Sequence, residues 1–195
     1  MGEFLELKAE DNNIFSAYIS QPSEKPIAGI VILQEIFGVN KHIKEVTDLY
    51  ASKGYLSIAP ALFDRIENSV ELEYNENGVN KGRKLKELCD KNALKDIDAA
   101  ISVVSSAGKV GIIGYCWGGS LSWRMACQSN NLSASVCYYG GDIPKLKNLE
   151  PKCGVLAHFG ELDQGIPIKS VEAFKSVKPE AVSYTHLTLP TTSKV

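Results

Sequence analysis

The sequence has no long apolar run, no paired cysteine motif and no strong excess of either charge. No stretch approaches the ~20 apolar residues of a membrane span, and residues 1–6 carry neither the basic nor the apolar region of a secretory signal. The net charge of -2 gives no reason to expect nucleic acid or an anionic membrane as a partner. The five cysteines are odd in number and contain no CxxC pair, which predicts reduced thiols in a cytoplasm and no disulfide or zinc framework.

The composition and the hydrophobic pattern indicate one α/β domain. The 195 residues are 44% hydrophobic and 23% charged, which is enough to enclose a sizeable core. Apolar runs alternate with segments of helical spacing, and this predicts a mostly parallel sheet with helices on both faces. Residues 4–9 and 14–19 predict an antiparallel hairpin, whereas residues 69–83 are polar and indicate a surface excursion. The other predicted strands are residues 29–33, 55–59, 109–113, 134–139 and 155–159, and two predicted helices are residues 43–53 and 94–104.

The segment GYCWGG at residues 114–119 is the strongest motif of the chain. It lies between an apolar run and a helix-like stretch, and a strand, a glycine-flanked turn and a helix together form a nucleophile elbow. The usual nucleophile is serine and here it is Cys116, whose thiolate a helix N-terminus would favour. Gly114 and Gly118 are expected because bulk there would collide with neighbouring backbone. A buried structural cysteine remains open, as does a redox thiol resolved by Cys127 or Cys137.

At these residues the chain resembles the dienelactone hydrolase (carboxymethylenebutenolidase) family of the α/β-hydrolase fold. The resemblance extends from about residue 4 to residue 177. It implies an α/β-hydrolase three-layer sandwich that hydrolyses carboxylic ester or lactone bonds through a cysteine nucleophile. No cofactor and no metal are expected. Five segments carry the resemblance: QEIFG at 34–38, APALFDR at 59–65, GYCWGG at 114–119, YYG at 138–140 and GELD at 160–163.

The resemblance implies a catalytic role for three side chains. Cys116 would be the nucleophile, and Asp163, just past a strand end, would orient a histidine base. A solvated turn aspartate is the plain alternative for Asp163. Glu35 matches the glutamate that holds the resting thiol and tunes its ionisation in the family. A buried carboxylate is costly unless it is paired, and a helix or loop cap is the alternative for Glu35.

The resemblance also implies three binding groups. The backbone N–H groups of Ile36 and Trp117 would form the oxyanion hole, because elbow folds use the residue after the nucleophile and one from an earlier loop. Arg65 matches the family's arginine for the substrate carboxylate, a ligand that a guanidinium fork suits. An ordinary surface arginine is the alternative.

The C-terminal part of the chain departs from the family pattern. A cysteine–histidine–aspartate triad needs an imidazole base, and the family carries it in a segment of the Ala-Gly-His-Gly-Phe type. The sequence has no such segment, and residues 182–191 resemble the translation of a transposon-type sequencing adapter. We therefore expect a hydrolase domain over residues 1–181 that lacks its last strand and helix, and a non-native tail over residues 182–195.

This departure leaves two interpretations of function. The first is a hydrolase in which thiolate attack forms an acyl-enzyme and water releases the acid. The second is an inactive remnant or a binding scaffold. His186 lies in the tail and is the remaining candidate base, whereas His158 is expected in the core and His42 on the surface. The expected partner is a small ester or lactone, and no pattern indicates the natural substrate or the oligomeric state.

Overall fold

The computed structural model describes residues 2–184 of the chain, with side chains as far as residue 181. Eight strands lie within these residues: β1 Glu3–Lys8, β2 Ile14–Ser20, β3 Ala28–Leu33, β4 Tyr55–Pro60, β5 Val110–Tyr115, β6 Ala134–Tyr138, β7 Gly154–His158 and β8 Val182–Tyr184. Five α-helices connect them: α1 Lys41–Ser52, α2 Glu76–Cys89, α3 Ala93–Val104, α4 Trp117–Gln128 and α5 Ile168–Val177. The strands form one sheet in the order β1-β2-β4-β3-β5-β6-β7-β8.

The centre of the sheet is parallel and its N-terminal edge is antiparallel. Strands β4, β3, β5, β6, β7 and β8 pair in parallel. Strands β1 and β2 form a hairpin, and β2 pairs antiparallel with β4. The hairpin turn contains Asn12 at a φ of 66°, a left-handed conformation that asparagine tolerates better than most residues. The predicted class, a mostly parallel sheet with an N-terminal antiparallel hairpin, is confirmed.

Helices cover both faces of the sheet around strand β3. Successive side chains of a strand point to opposite faces, and here Val31 packs in one core with Ile97 of α3, while Ile32 packs in another with Ile43 of α1. All four side chains are fully buried. The result is the expected three-layer sandwich. No helix within residues 2–184 combines the length and the apolarity needed to cross a bilayer.

Most of residues 69–83 are exposed, as the predicted surface excursion requires, but helix α2, which the sequence did not predict, begins within this stretch. Asn75 caps the helix by accepting a hydrogen bond from the Gly78 N–H at 2.9 Å. The buried positions of α2 are Gly78, Gly82, Leu85 and Cys89, which follow helical spacing. Two of the four are glycines that pack against backbone, and a Cβ on Gly82 would collide with the Ile36 carbonyl. Glycine therefore stands at buried positions where an apolar side chain would have shown the helical spacing in the sequence.

Strand β8 corrects the expectation that the last strand of the sheet is missing. Val182 pairs with Leu156, and Tyr184 pairs with His158, in parallel register with β7. Strand pairing uses backbone groups, so it requires little of the side-chain sequence. Three residues of the segment that we expected to be a non-native tail thus occupy the sheet edge. The last helix of the expected fold falls outside the described residues.

Candidate active site

Cys116 lies in a sharp turn between the end of β5 and the first residue of α4. Its backbone has φ 54° and ψ -114°, a conformation that L-residues rarely adopt and that is typical of functional sites. The Cys116 N–H donates to the Tyr138 carbonyl at 3.0 Å, and its carbonyl accepts from the Ser120 N–H at 3.2 Å. These bonds fix the turn between strand β6 and helix α4, and the predicted elbow geometry is confirmed.

The glycines of the GYCWGG motif are required by close packing of backbone. A Cβ on Gly114 would collide with the Gly118 carbonyl in the first turn of α4. A Cβ on Gly118 would lie 2.6 Å from the carbonyl oxygen of Leu33, and one on Gly119 would collide with the Tyr138 carbonyl. Real Cβ atoms do not approach carbonyl groups so closely, and the elbow can be this tight only with glycine on both sides of Cys116.

The two predicted oxyanion-hole residues lie on neighbouring segments. Trp117 is the first residue of α4, and its backbone N–H acts to lower the pKa of Cys116. Ile36 follows β3 and is 9% exposed. The Trp117 indole donates to Asp90 Oδ1 at 2.7 Å and stacks on Phe63 with ring centroids 5.5 Å apart, which holds the start of α4 in place. The oxyanion role of the two N–H groups stays a prediction.

The Glu35 carboxylate is buried between two tyrosines. It is 3% exposed and accepts from the Tyr74 hydroxyl at 2.7 Å and from the Tyr139 hydroxyl at 3.3 Å, one on each oxygen. The structure shows no hydrogen bond between Glu35 and the Cys116 thiol among the residues that it describes, so the expected contact is not formed here. Glu35 still acts on the thiol, since its negative charge raises the pKa of Cys116.

The environment of Cys116 favours the thiol over the thiolate. Burial, followed by the charge of Glu35, raises the pKa of Cys116 to about 11, and the charge of Asp163 acts in the same direction. The Trp117 N–H and the Lys86 ammonium act against this rise. The N–H of Trp117 at the helix N-terminus favours the thiolate, as expected, but burial and the carboxylates outweigh it.

Asp163 lies in the loop after β7 and shapes its own turn. Its Oδ1 accepts from the Gly165 N–H at 2.8 Å and from the Ile166 N–H at 3.3 Å. Its charge also reaches Cys116, as the raised pKa of the thiol shows. Cys116, Glu35 and Asp163 therefore interact at the C-terminal edge of the parallel strands, where such sheets bind ligands. The role of Asp163 in orienting a base stays a prediction, and the candidate base His186 lies outside the described residues.

Arg65 is held by carboxylates of the protein itself. Its Nε donates to Asp96 Oδ2 at 2.6 Å, its Nη2 to Asp96 Oδ1 at 2.8 Å and its Nη1 to Asp11 Oδ2 at 2.9 Å. Asp96 on α3 is fully buried, and the Arg65 side chain is 10% exposed. These bonds join the β1–β2 turn, the segment after β4 and helix α3. The predicted role of Arg65 as a ligand of a substrate carboxylate remains a prediction, and the donors it would use are engaged here.

The described histidines lie beside the site in an aromatic stack. His158 stacks on Tyr138 with ring centroids 4.6 Å apart, and Tyr138 stacks on Tyr115 at 5.1 Å. Burial lowers the pKa of His158. His42 is exposed and meets the Tyr115 ring edge-on at 5.8 Å. The surface position expected for His42 is confirmed, whereas His158 is half-buried at the end of β7 and does not lie in the core as expected.

Three residues of the site escaped sequence reasoning. Tyr139 belongs to a recognised motif but carried no assigned role, and Tyr74 and Lys86 lie in or beside the stretch that resembles a surface excursion. The one available signal was a tyrosine at the last position of a predicted strand, residues 134–139. Within residues 2–184, no group of three or more His, Cys, Asp or Glu side chains could hold a metal ion.

A parallel sheet with a nucleophile at a strand–turn–helix elbow defines an α/β-hydrolase fold. Comparison with known proteins narrows this class, because the dienelactone hydrolase family model matches residues 15–185. The chain belongs to the dienelactone hydrolase family.

Curated relatives and solved structures agree with this assignment. A carboxymethylenebutenolidase-like protein of Methylorubrum extorquens is 33% identical over 180 residues, covering 84% of this chain and 61% of that protein. The carboxymethylenebutenolidase of Pseudomonas putida is 34% identical over 176 residues, covering 86% of this chain and 74% of that protein. The chain thus spans less than two thirds of the first relative. A dienelactone hydrolase-like structure from Klebsiella pneumoniae has the same fold, with a TM-score of 0.76 at 24% identity over 96% of this chain and 86% of that one.

Proposed function

We propose that the protein hydrolyses carboxylic esters or lactones with Cys116 as the nucleophile. The observation that carries the proposal is the elbow at Cys116, whose backbone φ of 54° presents the thiol between β5 and α4. Such backbone strain costs about 1–3 kcal/mol and persists mainly at functional sites. The names of the relatives, carboxymethylenebutenolidases, support a lactone as the substrate class.

The chemistry follows from a thiol at an elbow. The thiol loses its proton, and the thiolate attacks the carbonyl carbon, forming a C–S bond and placing negative charge on the carbonyl oxygen. The N–H groups of Ile36 and Trp117 are suited to stabilise that oxyanion. Collapse breaks the C–O bond, the leaving oxygen takes a proton, and a thioester remains on Cys116. Water then attacks the thioester, releases the acid and returns the thiol.

The surroundings of Cys116 make the removal of its proton a requirement of the first step. Burial, Glu35 and Asp163 all raise the pKa of the resting thiol, so a base is needed at neutral pH. In the family this base is a histidine that the aspartate orients, and His186 is the candidate for that role. The five cysteines are free thiols, as a reducing cytoplasm would keep them, although the cytoplasmic location itself stays a prediction.

One observation favours a second candidate function, a binding scaffold without turnover. The same elbow holds a thiol whose pKa is raised to about 11, which alone gives almost no nucleophile at neutral pH. A scaffold of this kind would bind a small ester or lactone and release it unchanged.

Intact-mass spectrometry with an activated ester distinguishes the two functions. The proposed hydrolase gains the mass of one acyl group on Cys116 and then loses it as product forms. Cys116→Ala should abolish both events, while Cys127→Ala, which removes a half-buried thiol at the far end of α4, should leave both unchanged. Acyl transfer that continues at the wild-type rate in Cys116→Ala would refute the assignment of the nucleophile. Binding without any acylation would favour the scaffold.

A further inference from the structure

A polar cavity lies between helix α2 and the loop that follows strand β6. Its volume is about 520 Å³, and five charged residues line it: Arg83, Lys86, Glu87, Asp90 and Asp142. The four from α2 stand at positions i, i+3, i+4 and i+7, which share one side of a helix. This stripe is distinct from the positions of α2 that pack into the core. One charged stripe of the helix, together with Asp142, therefore forms this α2 cavity.

Two hydrogen bonds connect the α2 cavity to the helix that begins at the elbow. The Trp117 indole donates to Asp90 Oδ1 at 2.7 Å. The Ser120 hydroxyl accepts from the Asp142 N–H at 3.1 Å. Trp117 and Ser120 both lie in the first turn of α4, directly after Cys116. The α2 cavity thus borders the turn that carries the proposed nucleophile.

The carboxylates of the α2 cavity are bound by cations that do not line it. Arg124 donates to Asp90 Oδ2 at 2.9 Å. The ammonium of Lys145 lies 3.6 Å from Asp142 Oδ1. Glu87, the third carboxylate, is exposed to solvent, which screens its charge. These three groups therefore cancel little of the positive charge on the α2 stripe.

Arg83 and Lys86 are the cations of the α2 cavity that remain available to a ligand. Arg83 is exposed and forms no ion pair within the part of the chain that the structure describes. Lys86 is 33% exposed, and its ammonium lies 3.4 Å from Asp142 Oδ2, beyond the usual length of a hydrogen bond. Its charge also acts to lower the pKa of Cys116. Two cations on one helix face beside the elbow suit a carboxylate.

The donors of Arg65, in contrast, serve carboxylates of the protein itself. Its bonds to Asp96 are 2.6 and 2.8 Å long, and its shorter bond to Asp11 is 2.9 Å long. A substrate carboxylate would have to displace a buried ion pair, and breaking such a pair is strongly destabilising. An anionic group of a ligand therefore binds at a lower cost in the α2 cavity than at Arg65.

We propose that Lys86, assisted by Arg83, binds an anionic group of the substrate in the α2 cavity and is a specificity-determining residue. The substrate carbonyl reaches Cys116 while its carboxylate lies against the two cations. Lys86 thus takes the role that the family resemblance gives to Arg65. The inference rests on the proposed function and adds the site that selects the substrate.

The test compares two alkylating reagents of the same length on the Cys116 thiol. N-iodoacetylglycine carries a carboxylate on a short arm, and N-iodoacetylglycinamide carries a neutral amide in its place. With either reagent the thiolate forms a C–S bond, and iodide leaves with the electrons of the C–I bond. Mass spectrometry of the Cys116 peptide gives both rates. The ratio of the anionic to the neutral rate cancels any change in the pKa of the thiol, because both reagents react with the same thiolate.

Replacing Lys86 should lower this ratio. We expect a fall of about fivefold in Lys86→Met, at the upper end for one partly exposed ion pair, and of about twofold in the more exposed Arg83→Met. Lys86→Glu should lower the ratio further, and Lys86→Arg should retain it. Cys127, half-buried at the far end of α4, serves as an internal reference whose own ratio stays constant if the fold is intact.

Lys145→Met is the matched control, because it removes the same charge from a side chain that also lies near Asp142 but does not line the α2 cavity. Its ratio should equal that of the wild-type protein. An equal fall in Lys145→Met, or an unchanged ratio in Lys86→Met, would overturn the proposal. Alkylation needs no ester turnover, so a changed ratio without acylation by esters would refute the hydrolase alone, and acylation with an unchanged ratio would refute the α2 site alone.

Discussion

The N–H of Gly118 donates to the carbonyl of Gln34 at 3.1 Å, and this bond joins the two chain segments that build the site. Gly118 lies two residues after Cys116, and Gln34 immediately precedes Glu35. One backbone hydrogen bond thus helps to set the spacing between Cys116, the proposed nucleophile, and Glu35. The spacing also requires glycine, because a Cβ on Gly118 would lie 2.6 Å from the Gln34 carbonyl oxygen.

Gly118→Ala should therefore damage stability and activity together. Overpacking of this kind costs about 1–3 kcal/mol, and relief of the clash would move α4 away from β3. We expect a free energy of unfolding lower by that amount in urea titration, together with slower acylation of Cys116. Gly154→Ala is the matched control, because a Cβ there meets nothing within 4 Å. Equal stability of the two variants would contradict the role given to the Gly118–Gln34 contact.

The reactivity of Cys116 should rise steadily with pH. Burial and Glu35 raise the pKa of the thiol to about 11, so the thiolate fraction below that pH grows about tenfold per unit. Iodoacetamide alkylation of the Cys116 peptide should follow this slope from pH 7 to pH 10. Glu35→Gln removes one of the charges that raise the pKa, and its profile should lie at lower pH. A rate that levels off near pH 7 would show that the thiolate is already formed.

The ion pairs of Arg65 should contribute strongly to stability. Arg65→Met leaves the fully buried Asp96 carboxylate without its guanidinium partner, and breaking a buried pair from one side costs about 3–5 kcal/mol. Lys81→Met provides the surface control, because Lys81 and its partner Glu67 are 45% and 48% exposed, and such pairs contribute about 0–1 kcal/mol. Urea titrations compare the two. A loss in Arg65→Met no larger than in the control would mean that Asp96 finds another partner.

The sequence predicted the elbow well because its chemistry is local. A strand, a turn and a helix follow one another within residues 110–128, and the glycines that make the turn possible stand beside Cys116. The burial of β3 on both faces could also be predicted, because a strand with helices on both sides of the sheet is a continuous apolar run. Features that depend on residues close together in the sequence could therefore be predicted from sequence patterns.

Features that depend on contacts between residues far apart in the sequence could not be predicted in this way. Helix α2 was missed because Gly78 and Gly82 take buried positions that apolar residues would otherwise mark. The ion pairs of Arg65 join segments that are 54 and 31 residues away in the sequence. The carboxylate–thiol bond expected for Glu35 was replaced by bonds from two tyrosines, which no spacing in the sequence relates to residue 35.

The last prediction concerns the C-terminal segment and the base. General acid–base help is worth about 100- to 10,000-fold, and the expected family segment with its histidine is absent from the sequence. We expect the 195-residue chain to acylate slowly with an activated ester and to turn over poorly. Replacing residues 182–195 with a strand followed by a segment of the Ala-Gly-His-Gly-Phe type that the family resemblance implies should restore turnover, and Cys116→Ala in that protein should abolish it.

The measurement is steady-state hydrolysis of an activated ester by four proteins. They are the 195-residue chain, its His186→Ala variant, the chain with residues 182–195 replaced (the extended chain), and the Cys116→Ala variant of the extended chain. The extended chain should be faster by at least about 100-fold, because an oriented imidazole can then remove the proton that burial and Glu35 hold on the sulfur. His186→Ala should leave the slow rate unchanged. Full turnover by the 195-residue chain that disappears in His186→Ala would instead identify His186 as the base, and residues 182–195 would then be a working part of the site.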